Sequence, residues 1–187
     1  VRRVADGIKL SNLPSDISDV WVAALEDAQL SHDEAVLLLH PVLPADGQLA
    51  VSLGIDRYPT PELPDAVLAD LARLREQFSG RHIVMLMTED RPIEMDAALV
   101  RHELQHARQL AADACLWGLA ELCEDVVRHA LTGSGRLYNQ IPTEQDANAA
   151  AHAFAVNRFG AVRVAEVAKL VGDAPALRGD AIAISTH

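Results

Sequence analysis

Cysteine is nearly absent, with Cys115 and Cys123 the only two in 187 residues. On one continuous helix they would stand about 12 Å apart along the axis, beyond disulfide reach. Nor is their spacing that of a CxxC metal knuckle, so reduced, packed thiols are expected. No stretch approaches the roughly 20 apolar residues of a membrane span, and Val1-Arg2-Arg3-Val4-Ala5-Asp6-Gly7 lacks the apolar segment of a signal peptide. Basic residues are in the minority, 16 against 27 acidic ones, and form no run. The net charge of -11 opposes binding to nucleic-acid backbones or anionic membranes, both of which demand clustered Lys and Arg. Internal repeats and low-complexity tracts are missing as well. These absences predict a soluble, cytoplasmic protein with neither nucleic acid nor membrane as partner. A first residue of Val1 rather than Met fits a trimmed start.

The chain does have apolar mass, 50% hydrophobic against 23% charged, in the range of one globular domain. Trp21 to Leu30 has a helical pattern. Ala35-Val36-Leu37-Leu38-Leu39-His40-Pro41-Val42 is an apolar run of strand length. Pro44-Ala45-Asp46-Gly47 signals a turn, and Gln48 to Ile55 alternates well enough to pair with the first run as an antiparallel hairpin. Glu62 to Phe78 follows a helical period, and Arg81 to Thr88 reads as a third strand. The expectation is an α+β chain with a small, mainly antiparallel sheet packed against helices. A sheet-rich part covers about 31–90, a helical part about 92–172 and an irregular tail 173–187.

The chemistry lies in Ala98-Leu99-Val100-Arg101-His102-Glu103-Leu104-Gln105-His106, which contains HExxH. Residues four apart on a helix are turned only about 40° from each other, so His102 and His106 can bind one ion together. Glu103 then sits at the rim, placed to act as general base on a metal-bound water. The apolar flanks from Ala97 to Ala114, free of Gly and Pro, support a helix, whose pattern runs on to Leu131 with an interruption near Gly118. Thr132-Gly133-Ser134-Gly135 would stop it.

Catalytic zinc normally has three protein ligands and one open position, so another donor is needed. Gln109 and Ala112 stand where a metzincin would carry Gly and a third His, which removes that reading. A downstream donor remains, with Asp113, Glu121, Glu124, Asp125, His129, Glu144, Asp146 and His152 all within plausible reach. Asp146 is the main rival of Glu144. A capping role with Thr143 at the start of a helix over about 144–159 accounts for it without metal. The many alanines of that helix would let it approach a neighbour closely.

Glu144-Gln145-Asp146-Ala147-Asn148, together with HExxH on a preceding helix, resembles the ExxA(D/N) element of gluzincin metallopeptidases. The pattern is most similar to small gluzincins, the minigluzincins and the ImmA/IrrE-type proteases. The resemblance spans about Arg81 to Phe159 in organisation and the two motifs at residue level. It implies a zincin-like fold, Zn2+ held by His102, His106 and Glu144, and Glu103 as general base and proton shuttle. It also implies that Asn148 accepts a hydrogen bond from His102. Tyr138, His152 and Arg158 are the candidates for stabilising the transition state. No Gly precedes the second motif His, Gln105 being there, and no GxMxN element precedes the helix, which speaks against an aminopeptidase.

The resulting expectation is hydrolysis of peptide bonds in a peptide or protein substrate, with the third strand, Ile83 to Thr88, as an edge on which an extended substrate adds. The alternatives are a non-catalytic metal-containing binding or regulatory module and a zinc hydrolase of a non-peptide amide.

Overall fold

The two runs that are apolar at every position, Ala35 to Leu39 and Ile83 to Leu86, lie side by side as parallel strands. The structure, a computed structural model, describes residues 15–41, 43, 49–54, 65–78, 82–88, 90–112, 142–172 and 174–178. Within them the order is α1 (Ser15–Ala28), β1 (Ala35–His40), β2 (Ala50–Gly54), α2 (Asp65–Gln77), β3 (His82–Met87) and α3 (Ile93–Ala112). Then follow α4 (Pro142–Phe159), α5 (Ala161–Val171) and a single helical turn α6 (Pro175–Arg178). The class is α+β, as expected. None of the described helices is long and apolar enough to cross a membrane.

The sheet differs from the expectation in order and in direction. It runs β1-β3-β2, with β1 parallel and β2 antiparallel to β3. It is therefore mixed rather than mainly antiparallel, and β1 and β2 do not form a hairpin because β3 lies between them. Burial explains the choice. Leu37, Val84 and Leu86 sink into a core with α1 and α3, while Val36, Leu38, Ile83 and Met85 pack on the opposite face against Leu71, Leu74 and Phe78. A strand covered on both faces reads as a continuous apolar run, which is the signature of parallel pairing. In β2, by contrast, Val51 and Ser52 are only half-buried. The more polar strand takes the outer place, and β3 is central rather than an edge.

α3 is the element around which the rest is arranged. It begins with Glu94 and Asp96 in its first turn, where carboxylates complement the helix dipole. Arg91 fastens this entrance to the sheet by donating to the Met87 carbonyl at 2.6 Å and to Asp96 at 2.8 Å. Arg101 ties the middle of α3 to α1 through Asp27 at 2.6 Å. Arg163 of α5 reaches Glu94 at 2.6 Å. Along α4, Ala147, Ala151 and Ala155 are fully buried, and Ala151 and Ala155 pack with Met95 and Ala98 of α3. The alanines thus form the tight helix contact expected of them. Gly160, at φ 86°, makes the left-handed link from α4 to α5. The tail expected to be irregular contains α6, whose Ala176 and Leu177 are buried. Extension of the metal helix to Leu131, with Cys115, Cys123, Asp113, Glu121, Glu124, Asp125 and His129, lies outside the described residues.

Leu104 is wholly buried among α1, the sheet and Phe154 of α4. Leu104→Ala is expected to destabilise the fold by about 2–5 kcal/mol. Denaturant unfolding checks this, and a loss under about 1 kcal/mol would contradict the packing described.

Candidate metal centre

His102 and His106 project from α3 four residues apart, and Glu144 reaches them from the first turn of α4. Helix periodicity aligns the imidazoles, and the alanine contact brings the carboxylate within reach. His102 Nε2 lies 3.2 Å from one Glu144 oxygen and His106 Nε2 lies 3.1 Å from the other. The two Nε2 atoms are 3.0 Å apart. One donor atom from each of the three residues lies within 4.8 Å of the others. A divalent ion bound tetrahedrally at about 2.0–2.1 Å holds its donors about 3.3 Å apart, so this spacing fits such an ion. Two imidazoles and one carboxylate are also a suitable donor set. His102, His106 and Glu144 are thus a possible metal-binding triad.

The electrostatics follow from burial, as His102 and His106 are each 9% exposed, Glu103 8% and Glu144 4%. Burial presses Glu144 towards its neutral form, but hydrogen bonds and charge from His102 and His106 outweigh this and hold its carboxyl well below the usual range. Burial also opposes charge on His106, yet the hydrogen bond to Glu144, the charges of Glu103 and Glu144, and a hydrogen bond with Gln109 push it up to about 9. Glu103 moves the other way from Glu144. Desolvation raises its carboxyl above the ordinary value, only partly offset by His102, His106 and a hydrogen bond from the Ser52 backbone amide.

In the metal-free protein the protonated His106 therefore contributes stability that is full below pH 6.5 and lost as the pH rises through about 9. A metal at His106 Nε2 must displace that proton. Metal affinity is expected to strengthen over the same window, by up to about tenfold per pH unit for one proton displaced. Competition with a chromophoric chelator between pH 6.5 and 9 measures this, and a flat profile would mean that His106 does not carry the proton.

The position of Ser52 follows from the sheet register. The Met87 amide donates to the Leu49 carbonyl, so alternate residues from Leu49 exchange hydrogen bonds with β3, while Ala50, Ser52 and Gly54 direct their peptide groups away from it. Among the described residues β2 is paired on this one side. Its outward edge meets the site at Ser52.

Other expected residues lie elsewhere. Asn148 is buried one turn beyond Glu144, but Nδ1 of His102 has no hydrogen-bond partner among the described residues, so the expected bond between them is not made. His152 donates through Nδ1 to the Leu177 carbonyl at 2.7 Å and lines a cleft between α4, α5 and α6. It stands about 12 Å along α4 from Glu144. Arg158 is farther still, in the last turn, with its guanidinium 5.8 Å from the Phe159 ring. Tyr138 lies outside the described residues. Asp146 stays outside the triad, and its exposed carboxylate accepts from Gln105 at 2.6 Å and Gln109 at 2.9 Å. Sequence reasoning gave Gln109 no task. The available signal was its position three residues after His106, on the same helical face.

No family model matches the chain, and neither a curated protein nor a solved structure matches it.

Proposed function

We propose that the chain is a zinc-dependent metallopeptidase of the small gluzincin type. The observation that carries this reading is the convergence of His102, His106 and Glu144 beside a buried Glu103. A purely structural metal site closes its coordination with a fourth protein ligand, and it has no need of a carboxylate at its rim. When bound, zinc supplies Lewis acidity to a water and to a substrate carbonyl. His102 and His106 would hold it from α3 and Glu144 from α4.

Glu103 manages the proton. It takes one from the attacking water and gives it to the nitrogen of the leaving amine, so that water and amide become acid and amine. Its raised pKa suits both halves of that exchange, since a more basic carboxylate accepts more readily and the acid so formed still lies within reach of the amine. The Ser52 amide orients the carboxylate. The outward peptide groups of Ala50 and Gly54, on the same edge, suit an extended peptide that adds as a strand beside β2. β2 thereby takes the place first expected for β3.

Metal analysis joined to digestion of a peptide library, read by mass spectrometry, tests the proposal. One zinc per chain is expected, with cleavage that a chelator abolishes and added zinc restores. Stoichiometric zinc without cleavage of any peptide would favour the non-catalytic module.

A further inference from the structure

We propose that Gln109 is the positioning residue for His106, fixing it as an Nε2 ligand, and that Asp146 in turn fixes Gln109. This rests on the metal reading above and extends it to residues that touch no ion.

The polarity of the network is set by its donors. Arg101 has only N–H groups to offer; it donates through Nε to Asp27 at 2.6 Å and through Nη1 to Gln105 Oε1 at 3.0 Å. With its oxygen so engaged, Gln105 turns its NH2 group to Asp146 at 2.6 Å. The same Asp146 oxygen accepts from Gln109 Nε2 at 2.9 Å, and the Thr143 carbonyl accepts from that nitrogen at 3.0 Å. Two acceptors on one side of the Gln109 amide leave no alternative for its orientation, because a flipped amide would face both with an oxygen. Its Oε1 therefore faces His106 Nδ1, at 2.9 Å, and that nitrogen must donate. A neutral His106 then has its lone pair on Nε2, the atom aimed at His102 and Glu144.

Groups that accept the second N–H of a ligating histidine fix its tautomer and ring orientation. Here that group is itself held by Asp146 and Thr143 of α4, and Gln105 of α3 in turn donates to Asp146. Among the described residues His102 has no such holder on Nδ1. Gln109 thus orients one of the two imidazoles and leaves the other to packing.

The test compares wild type, Gln109→Met and Asp146→Ala, with zinc affinity measured by chelator competition and the His106 ring followed by 1H–15N NMR of the zinc-loaded protein. Gln109→Met keeps the side-chain length and removes the amide. It is expected to weaken zinc binding about 10–100-fold, and the exchange-protected Nδ1–H resonance of His106 should disappear. Asp146 is exposed, so Asp146→Ala should fold normally, with affinity about 3–10-fold weaker and faster exchange of the same proton. If Gln109→Met does not fold, Asp146→Ala decides alone. Zinc affinity within about twofold of wild type, or an unchanged His106 resonance, would overturn the role given to Gln109. Wild type that binds no zinc would instead remove the metal reading on which it stands.

Discussion

Glu103→Gln is expected to retain zinc at wild-type stoichiometry while peptide hydrolysis falls about 10²–10⁴-fold, the range that a positioned general acid–base contributes. The two effects separate because Glu103 is adjacent to the triad without belonging to it. Gln has nearly the same shape as Glu, and its amide oxygen can still accept from the Ser52 backbone. What it loses is the ability to take up and return a proton. The substitution also takes away a buried group that raises the proton affinity of His106, which favours the metal-bound form slightly. Metal content by mass spectrometry and rates on the best library peptide are the two measurements needed. Activity within tenfold of wild type would remove Glu103 from the role of base.

Glu144→Ala is expected to do the reverse, since it removes a ligand atom rather than a proton carrier. Loss of an outer hydrogen-bond partner weakens metal binding about 10–100-fold, and loss of a direct ligand should exceed that. Zinc is expected to be lost on gel filtration, with activity lost in parallel. In the metal-free state the same change deprives His106 of the carboxylate that holds its proton, so His106 should titrate below about 9. The histidine can respond by shedding the proton, which limits the stability cost at neutral pH. Unchanged zinc affinity by chelator competition would pass the third position to another donor.

These sites differ in how far the sequence could disclose them. HExxH needs only one helix, and a helix relates His102 to His106 by a local rule that spacing expresses directly. Glu144 required a second motif, because nothing in a sequence states which two helices touch. The alanines of α4 offered a hint, and Ala151 and Ala155 do form the contact. The sheet was less legible. The turn at Pro44 to Gly47 invited a hairpin, yet strand pairing is settled by which faces are buried, and the unbroken apolar runs of β1 and β3 were the better guide. Asn148 illustrates a further limit. Its position one turn after Glu144 was read correctly, but side-chain pairing depends on angles that spacing leaves free, and the imidazole that is held proves to be His106, through Gln109.

The placement of Glu144 on a different helix from the two histidines also bears on the folding of the chain. His102 and His106 are joined by a single helical turn, whereas Glu144 arrives only after a long intervening stretch of backbone. An ion shared among them is a cross-link as well as a Lewis acid. By the reasoning that applies to covalent bridges, closing a loop of several tens of residues withdraws conformations from the unfolded ensemble, worth about 3–4 kcal/mol. An ion held by the triad is therefore expected to make resistance to unfolding follow its free concentration, so that metal supply would set how long the chain stays folded.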